Sequence, residues 1–63
     1  MTEYIVVELN KLNSKGFSPM MTIYALNPKK AEEIFRSIVP NASSQLLIAE
    51  SKHVDFGFNS NKG

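Results

Sequence analysis

His53 and Asp55, one residue apart, are the closest this sequence comes to a catalytic pairing. An imidazole oriented by a carboxylate can act as the general base that activates a hydroxyl or thiol nucleophile. The two would lie on the same side of an extended chain, but they fall in a polar C-terminal segment where such groups simply face water. The chain has no cysteine and a single histidine. Thiol nucleophiles, thiolate metal sites, disulfides and histidine-rich metal sites are therefore all excluded. Glu32 and Glu33 are adjacent on a predicted helix and point about 100° apart, too divergent to work as a convergent carboxylate pair. Gly16, Gly57 and Gly63 are the only glycines, so there is no glycine-rich phosphate loop. The expectation is a protein with no catalytic residues, no cofactor and no metal, and hence not an enzyme.

Binding chemistry has more to draw on. Sheet-based RNA binders stack bases on exposed aromatic rings flanked by basic side chains. Tyr4 and Tyr24, with Lys11 and Lys15 near a predicted hairpin tip, could supply that pattern. Against it, two tyrosines on a sheet are ordinary strand formers, no RNP-like aromatic motif is present, and the formal net charge is only +1. Lys29 and Lys30 stand in the first turn of the predicted helix, where the helix dipole disfavours positive charge by a few tenths of a kcal/mol. They could form a basic spot for an anionic partner or part of a solvated face.

These side chains need elements to hold them. The most legible stretch is Met21 to Pro40, which reads as a strand, a short hinge, a helix and a stop. Asn27 has the residue type of a helix N-cap, and Pro28 suits the first helical position, where its missing N–H costs nothing. Ala31, Ile34, Phe35 and Ile38 recur at helical spacing and predict the buried stripe. Pro40 cannot continue a helix and biases Val39 away from α geometry. The predicted helix is Pro28 to Ile38.

Upstream, residues 3–12 are rich in β-branched and aromatic types and predict a first strand. Alternation places Ile5, Val7 and Leu9 on the core face and Tyr4, Val6, Glu8 and Asn10 on the other. Asn13-Ser14-Lys15-Gly16 is a run of turn formers. A connection of about Asn13 to Ser18 then leads to a second strand from Met20 to Leu26. That strand directs Met21, Ile23 and Ala25 inward and Met20, Thr22 and Tyr24 outward. Phe17, in the connection, is expected to fold back on the core. Downstream, Leu46 to Ala49 is a short apolar run that periodicity alone leaves open between strand and helix. A strand is expected, with Leu46 and Ile48 inward, because three strands come closer to independent stability than two. Val54, Phe56 and Phe58 alternate and would either prolong this strand past a bend near Ser51-Lys52 or form a short fourth one.

The expected fold is thus a small α+β domain of ββαβ order over residues 1–58. An antiparallel three-stranded sheet carries one helix, packed through Ile34, Phe35 and Ile38 against Ile5, Val7, Ile23 and Ile48. Residues 59–63, without an apolar side chain, are expected to form a disordered tail. With 63 residues the chain lies near the lower limit for folding without disulfides, metal or a partner. Association is the supplement left to it. One helix covers one sheet face, and the other would present an interaction surface made of Tyr4, Val6, Met20 and Tyr24, with Lys29 and Lys30 as a basic spot. No apolar run reaches the roughly 20 residues of a membrane span. The start MTEYIVVELN lacks the features of a secretory signal, so the Asn41-Ala42-Ser43 acceptor pattern is expected to stay unmodified. The expectation is a cytoplasmic, self-associating interaction module with a larger protein partner. The alternative is a small nucleic-acid binder.

Overall fold

A computed structural model describes residues 1–54. The predictions for Asp55, Phe56, Phe58, a fourth strand and a tail at 59–63 lie outside the described residues. The elements are β1 (Thr2–Glu8), β2 (Met20–Ala25), α1 (Pro28–Ile38) and β3 (Leu46–Glu50), followed by a 3-10 turn at Ser51–His53. The sheet order is β2-β1-β3 with both pairings antiparallel, and α1 packs on one face. This is the predicted α+β architecture, with the N-terminal strand in the middle.

The helix forms where its local signals place it. The Asn27 side chain accepts the Lys30 N–H at 2.8 Å, Pro28 occupies the first helical position, and Val39 ends the helix by donating its N–H to Phe35 O at 2.9 Å. Its buried face differs from the predicted stripe. Ala31 and Phe35 are fully buried and Val39 packs beside them, while Ile34 and Ile38 remain 36% and 54% exposed. The cause lies on the other flank. Arg36 donates from Nε to Glu32 Oε2 at 3.0 Å, from Nη1 to Ser43 O at 3.0 Å and from Nη2 to Ser44 O at 3.3 Å. These bonds tie the Glu32–Arg36 flank to the loop entering β3 and roll the helix so that Ile34 and Ile38 turn outward.

The phase of β1 is also opposite to the predicted one. Tyr4 and Val6, at 4% and 0% exposure, lie beneath the helix with Ile23, Ala25, Ala31 and Phe35, so neither belongs to an outward surface. Ile5 and Val7 point to the far face. Tyr4-Ile5-Val6-Val7 is apolar at four successive positions, so alternation within β1 permits either phase. The cross-strand register settles it: Tyr4 stands opposite Ile23 and Val6 opposite both Met21 and Ile48. Directly opposed residues share a face, and the inward residues of β2 and β3 bring Tyr4 and Val6 inward with them.

That phase also buries Glu8, 5% exposed. A buried carboxylate needs partners. Oε1 of Glu8 accepts the backbone N–H of Ser43 at 3.0 Å and pairs with Lys11 Nζ at 3.3 Å. Ser43 in turn donates its hydroxyl to Leu9 O at 2.6 Å, and Gln45 bonds both Leu9 and the Asn10 side chain.

Strand β1 is shorter than predicted. Asn10 adopts a positive φ of 58°, which takes the chain out of the ladder, and Glu8 N–H makes its last bond to Pro19 O at 2.9 Å. The β1–β2 connection therefore spans 9–19. Asn13 shapes its tip by accepting the N–H groups of Lys15 and Phe17 on its side-chain oxygen at 2.9 and 3.1 Å, and Gly16 takes φ 85°. Phe17 does not fold back: it is 67% exposed. Strand β3 forms as predicted, with Leu46 and Ile48 packed against the core and Leu47 turned away. The bend predicted near Ser51-Lys52 is the 3-10 turn Ser51–His53; whether the chain resumes the strand beyond it lies outside the described residues.

Candidate functional site

The face of the sheet opposite α1 is built from three cross-strand rows. Register places Met20, Val7 and Leu47 in one row, Thr22, Ile5 and Ala49 in the next, and Tyr24 beside Glu3 in the last. The first row is wholly apolar, and its two outer members, Met20 and Leu47, are exposed. The middle row places an apolar Ile5 between two smaller neighbours. The last is polar: Tyr24, also exposed, donates its hydroxyl to Glu3 Oε2 at 3.3 Å. The face thus grades from apolar, at the end near the β1–β2 connection, to polar. Among the described residues, Glu3 is the only charged side chain in these rows, and no helix or strand covers them.

The six residues singled out from the sequence do not form one patch. Tyr4 and Val6 are core. Met20 and Tyr24 lie on the face just described. Lys29 and Lys30 are exposed at the start of α1, which packs on the opposite face. Lys30 Nζ pairs with Glu33 Oε1 at 3.4 Å. For nucleic-acid binding, the two-tyrosine platform is lost, because Tyr4 lies under the helix. Lys11, which would flank it, is engaged by Glu8. Ile5 and Val7 are the residues of the open face that the predicted phase of β1 turns inward. The signal that places them outward is the inward phase of β2 carried across the ladder.

A second polar group, unforeseen from sequence, lies at the other end of β1. Glu8, Lys11, Arg36, Ser43 and Gln45 close the loop between α1 and β3 against the sheet. The Ser43 N–H, chiefly, holds the Glu8 carboxyl below the usual carboxylate range, assisted by Lys11 and opposed by desolvation. Every polar group here is engaged in holding the chain to itself. Near Met1, Thr2, Glu3, Glu50, Ser51 and Lys52 there is a cleft of about 310 Å³, and the buried Ser51 hydroxyl has no hydrogen-bond partner among the described residues. His53 is exposed, and no cluster of His, Cys, Asp or Glu among the described residues could hold a metal ion. No helix among them is long and apolar enough to cross a membrane.

No protein-family model, curated protein or solved structure matches this chain. The class that the fold itself defines is a two-layer ββαβ domain with one sheet face that no helix or strand covers among the described residues.

Proposed function

We propose that this protein is a non-enzymatic interaction module that self-associates and binds a larger protein partner. The observation that carries this reading is the open sheet face, with the apolar row Met20–Val7–Leu47 at one end and Tyr24 at the other. Contiguous apolar surface of this kind marks contact sites between proteins. Methionine suits such a surface because its flexible thioether adapts to a partner's shape, and tyrosine supplies apolar area with a polar rim. The near absence of charge on the face favours a protein over a phosphate backbone, which would call for lysine or arginine.

Leu47→Lys tests the reading. It places a charge in the apolar row of the face without touching the core. The wild-type chain, purified from its native source, should bring a protein partner with it, and Leu47→Lys should recover that same partner at strongly reduced yield with an unchanged circular dichroism spectrum. Equal recovery by wild type and variant would sink the assignment to this face. Tight, salt-sensitive RNA binding would replace it with the nucleic-acid alternative.

A further inference from the structure

The antiparallel ladder fixes where each backbone group of β2 points. Glu8 N–H donates to Pro19 O, and the same register pairs Val6 with Met21, Tyr4 with Ile23 and Thr2 with Ala25. Alternate residues of a strand bond to a given neighbour, so Met21, Ile23 and Ala25 direct their backbone groups to β1. Met20, Thr22 and Tyr24 direct theirs to the opposite side, where no strand lies among the described residues. Natural proteins guard such edges with charge, proline or a covering segment. Met20–Ala25 contains no charged residue and no proline. The other edge, β3, is shorter and ends in Glu50, paired with Lys52 at 3.4 Å.

A second, independent feature lies on the same side. Arg36 ties one flank of α1 to Ser43 and Ser44, in the loop entering β3. At 100° per residue, Ile34 and Ile38 occupy the opposite flank, toward β2, and they are the helix's exposed apolar residues. Among the described residues, an unguarded strand edge and an apolar helix flank therefore adjoin.

We propose that a second copy of this chain docks here. Two β2 edges pair antiparallel across a two-fold axis normal to the sheet, making six continuous strands. Both helices then lie on one face, with Ile34 and Ile38 of the two copies meeting over the axis. Opposed residues must share a face, so the axis falls midway between one residue and its own copy. Centring on Thr22 sets Thr22 opposite its own copy and Met20 opposite Tyr24, and it engages all three outward-pointing residues of each copy. A centre at Ile23 leaves Met20 outside the paired set. The occupant is a second copy because both features are self-complementary. An uncharged strand meets its mate without like-charge repulsion, and an apolar flank meets an identical one. The inference supplies the self-association within the proposed function. It leaves the sheet face, now doubled in width, to the larger partner.

The chain has no cysteine, so Thr22→Cys introduces a single thiol. Across the two-fold its Cα atoms would be about 5.5 Å apart, within the disulfide range of about 4.4–6.8 Å. Mild oxidation should give a covalent dimer with the wild-type circular dichroism spectrum, while Leu47→Cys, on the open face, should stay single. Thr22→Pro removes one outward N–H per copy and no bond to β1. It should raise the dimer Kd at least about tenfold, the effect of losing two backbone hydrogen bonds. Ile38→Lys should do the same by an independent route, which covers the case of a proline that perturbs folding. Cross-linking of Leu47→Cys, with Thr22→Pro and Ile38→Lys sedimenting like wild type, would place association on the sheet face. That result overturns edge pairing and leaves the interaction module standing. A chain that is monomeric up to near-millimolar concentration, with neither thiol cross-linking, overturns self-association itself.

Discussion

Glu8 shows how far a single residue can depart from its type. In the sequence it is a carboxylate at the end of a strand, and on type alone it belongs in water. The structure buries it because its partners come from elsewhere: Ser43 N–H is 35 residues away and Lys11 lies just past the strand. No local pattern records that pairing, and the sequence reading of β1 inherited the error, placing Tyr4 and Val6 outside. The bond has a pH signature. Because the folded-state pKa of Glu8 is lowered, the unfolded chain binds the extra proton first as pH falls, and unfolding is favoured in acid. The stabilisation is complete above the unfolded carboxylate pKa, about 4.3, and is lost as pH drops through the folded value. Urea unfolding of Glu8→Gln across that range should show a flatter acid limb than wild type. Arg36, which fixes the same loop from the helix side, makes charge-assisted bonds to two carbonyls at a half-exposed position. Arg36→Ala should cost about 1 kcal/mol in denaturant unfolding.

At the scale of elements, what was legible was what is local. The helix bounds follow from Asn27, Pro28 and Pro40, all within a residue or two of the ends they set, and Asn27→Ala should cost about 1 kcal/mol. The helix's rotation was not legible. The spacing of Ala31, Ile34, Phe35 and Ile38 defines a broad apolar arc, and which part of it meets the sheet is decided by Arg36 and a loop outside the helix. Substitutions should reveal the difference. Phe35→Ala removes a fully buried ring and should cost about 3–5 kcal/mol, enough to unfold a domain this small. Ile38→Ala, on the exposed flank, should change monomer stability by less than about 1 kcal/mol. Equal losses for the two in thermal or urea unfolding would restore the stripe read from the sequence. The β1–β2 connection is longer than the sequence predicts for a similar reason. Its limits depend on the positive φ of Asn10 and on Pro19 closing the ladder, and the first of these has no unambiguous sequence signal.

At the scale of the molecule, the order of elements was readable and the arrangement of surfaces was not. A strand–strand–helix–strand chain with short connections leaves few architectures, and the one expected is the one formed. The open face could be anticipated as a consequence of having one helix and one sheet. Its composition could not, because it depends on the phase of β1, which only the register reveals. The described interior is thin: among the described residues, Phe35 and Val6 are the largest side chains fully shielded from solvent. A fold with so small a core that pairs with its own copy should gain stability by mass action, and its Tm should rise with protein concentration. Calorimetry over a hundredfold dilution series (a range on the order of 3 kcal/mol in association free energy) would show a constant Tm if the monomer is the whole folding unit.

The central place of β1 also bears on how the chain acquires its structure. Among the described residues, β1 is flanked by β2 on one side and on the other by β3, which follows it by nearly forty residues, with Val7 opposite Leu47. During synthesis the β1–β2 hairpin emerges with the inner edge of β1 bare and without the helix that shelters Tyr4 and Val6. It must wait for nearly the whole described chain before that edge is filled. Long-range pairing of this kind raises contact order and slows folding. The interval before β3 arrives is when this protein is most open to mispairing with a neighbouring nascent chain.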